Sequence, residues 1–177
     1  CFISTFVGYL TFKIIYSFTK NSVVSLIGWI IYFLFIGTSP WLLIPYTDSL
    51  GLFFPITMVR VYQLYKMPNN EFKNKVKYVF VLGFLSYIAF RIKPQAFIMI
   101  IAIIMFEIVL LINKIMLDYK GFLKKIKKII VFITTFAISV LLSYFLVNNV
   151  MIKSTQIKLD KEREFGFTHF FMMGLNE

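Results

Sequence analysis

Few side chains in this 177-residue sequence can do chemistry, and most of those that can fall in short polar stretches between long apolar ones. The first stretch, SPWLLIPYTDSLG, holds one charge, Asp48. A carboxylate before an apolar segment can cap a helix by accepting from its free N–H groups. The sharper alternative, compatible with the cap, is a carboxylate that faces a sugar or a cation at the mouth of a cavity, with Tyr46 lining the same substrate site rather than serving as an interfacial aromatic. The second stretch, FRIKPQ, sets Arg91 and Lys93 just before Pro94. Proline suits the first turn of a helix, whose free N–H groups and dipole favour an anion. Two cations at that place make a phosphate site at membrane-surface depth, or they reach out to lipid headgroups. The third, FTHFFMMGLNE, holds the lone His169, a structural residue or a hydrogen-bond partner for a sugar hydroxyl or phosphate. Glu107 stands inside an apolar run, where an ionisable group is costly and a functional candidate by default. Its partners on offer are Lys114, seven residues on, and Arg60 in a neighbouring segment; it can also stay protonated.

Other chemistries lack their residues. One cysteine and one histidine exclude an internal disulfide framework and a zinc site of ordinary ligand type. No Gly-rich phosphate loop, nucleophile elbow or HExxH motif occurs, which disfavours an enzyme of soluble nucleotides.

The elements that must carry these residues follow from composition. Hydrophobic residues make up 59% of the chain and charged ones 15%, and the mean hydropathy is +0.81. Soluble domains hold about 45–50% apolar and about 25% charged residues, so a water-soluble globular domain is excluded. The net charge of +11 then calls for no nucleic acid; basic cytoplasmic loops and membrane lipid explain it. The expectation is an all-α, polytopic transmembrane helix bundle of about six spans, near 1–18, 22–44, 50–65, 78–90, 95–117 and 129–152. Two of these are marginal. The segment 78–90 is short between Lys77 and Arg91 and spans if both side chains reach outward, and 50–65 contains Pro55 and Arg60.

Charge fixes the order of crossings. The connections 113–128 and 66–77 are lysine-rich, and Lys13 and Lys20 belong with them on the cytoplasmic side. Residues 45–49, 91–94 and 153–177 then lie outside, the last beginning an extracytoplasmic segment. This arrangement puts 13 of the 19 basic residues and two acids inside, six basic residues and five acids outside, and Glu107 in the membrane. The opening CFISTFVGYLTF lacks a basic stretch and a cleavage site, so no signal peptide is expected. Starting at Cys1 and ending at GLNE just after a loop begins, the sequence reads as a piece of a longer protein.

Taken together, PYTDSLGLFFP, IAFRIKPQAFIMIIAI and FTHFFMMGLNE resemble multispanning bacterial glycosyltransferases of the GT-C type, related to protein mannosyltransferases and aminoarabinose transferases of lipid A. The resemblance covers most of the chain as scattered short strings. It implies a bacterial cytoplasmic-membrane enzyme that moves a sugar from a polyprenyl-phosphate donor to an extracytoplasmic acceptor such as a cell-surface glycan, lipid or protein. By position, Arg91 and Lys93 would hold the lipid phosphate, with Tyr46 and His169 on the substrate. Asp48 would be the candidate catalytic residue, lining the acceptor or a divalent cation. The first outer loop, where such enzymes carry their main catalytic acids, has no counterpart in this sequence, which puts the activity of the piece alone in doubt. Two other functions fit the same residues: a transporter or flippase of a polyprenyl-linked saccharide, with Glu107 and Arg60 in coupling, and a non-catalytic membrane subunit.

Overall fold

Apolar runs of this length satisfy their backbone groups in a bilayer as helices, and in a computed structural model of the protein every described element is helical. The structure describes residues 2–37, 47–68, 70–117 and 122–152, with backbone alone at residues 2, 47–50, 114–117, 122–126, 151 and 152. Helix α1 is Phe2–Thr19, and α2 is Ser22–Tyr32, continued by a wider π-type turn over Phe33–Gly37. Helix α3 is Thr47–Lys66 and α4 is Phe72–Ile92; a 3₁₀ turn, Pro94–Phe97, leads into α5, Ile98–Leu117. Helix α6 is Phe122–Phe145, followed by a π-type turn, Leu146–Ile152. The two marginal apolar windows thus lie within helices of 20 and 21 residues, because the flanking polar residues are helical as well. The chain divides into two units, Cys1–Tyr144 and Phe145–Glu177. The described part of the second is the last residue of α6 and its π-type turn; the packing below is that of the first.

Local chemistry sets the breaks. Lys20 takes a left-handed backbone conformation, φ 53°, just past the end of α1. Asn21 then caps α2, its Oδ1 accepting from the N–H groups of Val23 at 2.9 Å and Val24 at 3.4 Å. Pro94 excludes the α region for the residue before it, so Lys93 is extended at φ −149° and ψ 103° and separates α4 from the next turn. The proline stands at the start of that turn, as its missing N–H requires.

Contacts between helices fix their directions. The rings of Phe6 and Phe53 lie 5.9 Å apart, while Arg60 and Gln63 of α3 donate to the carbonyls of Lys13 and Ile14 at 3.5 and 3.3 Å. Helices α1 and α3 therefore run parallel. So do α3 and α5: Phe54 and Met58 share a buried cluster with Ala96 and Ile100, and Tyr62 meets Glu107 further along. So do α4 and α6, through Phe72 and Phe132, then Phe84 and Ser143, then Tyr87 and Tyr144. Helices α2 and α4 run against α1 and α3. One end of the bundle then gathers Lys20, Lys66, Lys73, Lys75, Lys77, Lys127 and Lys128. The other holds the start of α3, Arg91, Lys93 and the 3₁₀ turn.

The outside of the bundle is apolar. Ile27, Ile31, Leu34, Ile104, Met105, Ile133 and Leu141 are all exposed. The segments Pro94–Asn113 and Lys127–Val150 are long and apolar enough to cross a membrane, yet only 17% and 11% of their apolar windows are covered. The core helix of a soluble protein would be mostly covered, so these surfaces face hydrocarbon.

Candidate functional site

The end opposite the lysines holds the residues singled out for phosphate chemistry. At Lys93 the chain turns from α4 towards α5, its N–H donating to the Ala89 carbonyl at 2.8 Å and its carbonyl accepting from the Ala96 N–H at 2.9 Å. The Lys93 stem crosses α3 at Gly51, so closely that a Cβ on Gly51 would lie 2.7 Å from Lys93 Cδ. Pro55, four residues after Gly51, has no N–H for the Gly51 carbonyl, which leaves that oxygen without its helical donor. Gly51, Leu52, Pro55, Lys93, Gln95 and Ala96 line an open pocket of about 240 Å³ there.

Of the expected site residues, Lys93 is in this pocket. The Asp48 backbone lies in the first turn of α3, one turn before Gly51; its side chain, with Tyr46 and His169, falls outside what the structure describes. Arg91 is exposed in the last turn of α4, where the helix dipole itself favours a cation. It flanks the corner from the preceding helix, two residues before Lys93, which caps the turn opened by Pro94. Gly51, Pro55 and Gln95 were missed as lining residues. The Gly-x₃-Pro spacing inside a helical run is the signal that could have pointed to the first two, because it opens a backbone carbonyl on one face. Among the described residues no group of three His, Cys, Asp or Glu side chains could hold a metal ion.

A second polar cluster lies towards the lysine-rich end. Glu107 Oε1 accepts from the Tyr62 hydroxyl at 2.5 Å and pairs with Lys66 Nζ at 2.6 Å. The Lys66 ammonium also lies 5.5 and 5.7 Å from the ring centres of Tyr62 and Tyr65. This corrects the pairing expected from sequence: Arg60 bonds Gln63 and a carbonyl of α1 instead of Glu107, because it faces α1 while Tyr62 and Lys66 face α5. The Lys114 side chain is outside the described residues.

An all-α bundle with lipid-facing helices and polar groups concentrated at its ends is an integral membrane protein. Residues 3–177 match the model of a family described as "conserved hypothetical integral membrane protein", and the chain belongs to that family. No match was found among the curated proteins or among the solved structures.

Proposed function

We propose that this membrane protein is part of a glycosyltransferase that moves a sugar from a polyprenyl-phosphate donor to an acceptor outside the cytoplasmic membrane. The observation that carries the reading is the pocket at the end opposite the lysines, where Lys93 lies across Gly51 one turn from Asp48. Lys93, with Arg91 beside it, is the cation for the lipid phosphate, and Gln95 adds a polar side chain to the pocket wall. A carboxylate, Asp48 or one supplied by another part of the protein, takes the proton from the acceptor hydroxyl. The hydroxyl oxygen then bonds to the anomeric carbon as the bond from that carbon to the phosphate oxygen breaks. The departing phosphate takes the electron pair and needs no proton, because Lys93 and Arg91 balance its charge.

The test is sugar transfer from synthetic polyprenyl-phosphate donors by the full-length protein in proteoliposomes, beside Lys93→Ala and Asp48→Ala. Losing one preorganised charge of this kind costs about 10²-fold or more, so Lys93→Ala should fall by that factor while staying folded. Unchanged transfer by Lys93→Ala overturns the site. A second reading has its own support: Glu107, on an apolar helix long enough to cross a membrane, is paired with Lys66 and Tyr62, as a coupling group of a transporter would be. Movement of the lipid-linked sugar across the bilayer with no transfer would establish that reading.

A further inference from the structure

We propose that Lys13 and Arg60 form a binding site for the phosphate of an anionic phospholipid in the leaflet at the lysine-rich end. The two residues stand side by side on parallel helices, since Arg60 Nη1 donates to the Lys13 carbonyl at 3.5 Å. The neighbouring bond from Gln63 Nε2 to the Ile14 carbonyl, 3.3 Å, holds the same register. Lys13 is six residues from the end of α1 and Arg60 six from the end of α3. Both therefore lie about 9 Å inside the helix ends.

Neither cation meets a described carboxylate. The oxygens on Arg60, the Lys13 carbonyl and Gln63 Oε1 at 3.3 Å, are neutral. The Lys13 ammonium lies over the Tyr9 ring at 5.5 Å. Of the described acids, Glu107 is engaged by Lys66 and Glu71 lies in the connection after α3. Two positive charges carried on adjacent helices at this depth are costly in hydrocarbon and, at low dielectric, attract an anion. Both described bonds of Arg60 run through Nη1, and a guanidinium can fork onto two phosphate oxygens. The occupant is an amphiphile because the approach is apolar: Phe6, Tyr9 and Tyr16 expose 39%, 53% and 43% of their surfaces along α1, a wall for acyl chains.

The experiment is native mass spectrometry of the full chain in detergent, titrated with phosphatidylglycerol and, separately, phosphatidylcholine. The wild type should hold phosphatidylglycerol preferentially. The double variant Lys13→Gln/Arg60→Gln should weaken that binding by about tenfold or more, from the attraction each basic group contributes near anionic lipid. Lys127→Gln/Lys128→Gln, which removes the same charge from the same end of the bundle, should retain it. Lys13→Gln alone leaves the Arg60 bonds between helices intact, so its partial loss reports the site even if the double variant is unstable. Equal loss in both double variants overturns the proposal in favour of general surface attraction, and full binding by Lys13→Gln and the Lys13/Arg60 double overturns it outright. Displacement of the lipid by excess inorganic phosphate overturns the lipid as source.

Discussion

Lys66 holds Glu107 at 2.6 Å while Tyr62 donates to the same carboxylate oxygen, so the charge of an otherwise isolated acid on α5 is balanced from α3. Both side chains are 34% exposed, which screens the pair less in lipid than it would in water. Removing one partner leaves the other charge uncompensated. Lys66→Met and Glu107→Gln should each cost about 1–2 kcal/mol in unfolding from detergent micelles. The double variant should cost less than their sum, because a neutral pair strands no charge; simple additivity in that cycle would show the contact to be without energetic weight. Gly51 offers the opposite test. An added methyl there meets only the flexible Lys93 stem, and alanine is the better helix former by about 1 kcal/mol. Gly51→Ala should thus keep or raise thermal stability and, under the proposed function, lower sugar transfer by pushing the Lys93 ammonium aside. Glu107 was recognisable in the sequence as an ionisable residue in an apolar run. Its partner was not, because Lys66 lies 41 positions away in sequence and looks like the start of a basic loop until α3 and α5 are seen to run parallel.

Among the elements, α4 and α6 pack through small residues. Ser143 Oγ donates to the Phe84 carbonyl at 3.2 Å, and Ser139 Oγ to that of Phe80. A Cβ on Gly83 would lie 2.9 Å from the Phe136 carbonyl oxygen and 3.0 Å from Ser139 Cβ. Lipid already solvates leucine well, so such close approach and interhelical hydrogen bonds drive association where burial of apolar surface does not. Unlike Gly51, Gly83 faces backbone that cannot step aside. Gly83→Val should cost about 1–3 kcal/mol by overpacking, and Ser139→Ala and Ser143→Ala about 0.6 kcal/mol each, measured by the same detergent unfolding. A valine tolerated at position 83 would mean that these helices do not meet there. The helical class was legible in composition and the helix start at Pro94 in one residue. The seam was not, since serines and a glycine scattered through apolar runs look alike whether they face a partner helix or lipid.

For the molecule as a whole, the parallel register of α1, α3 and α5 sorts charge between two ends, one with seven of the described lysines and one with Arg91 and Lys93. If the lysine-rich end is cytoplasmic, as the positive-inside bias requires, labelling of intact cells will distinguish the ends. With Cys1→Ser as background, Gln95→Cys should react with a membrane-impermeant thiol reagent from outside, and Lys73→Cys only after the cells are opened. Reaction of both from the same side would break the six-crossing scheme. The Asp48 end of the candidate site could be placed from charge alone. The closeness of Lys93 to Gly51 could not, because it depends on the extended residue that Pro94 imposes and on the angle at which α5 leaves it.

The turn between α1 and α2 has a consequence for how the protein is made. Two residues, Lys20 and Asn21, separate helices that each need most of the bilayer's thickness. So short a link ties the two helices into one hairpin, which would enter a membrane as a pair. If the lysine-rich end is cytoplasmic, Lys20, held in its left-handed conformation at the tip, is the charge that would stay behind on the side of synthesis.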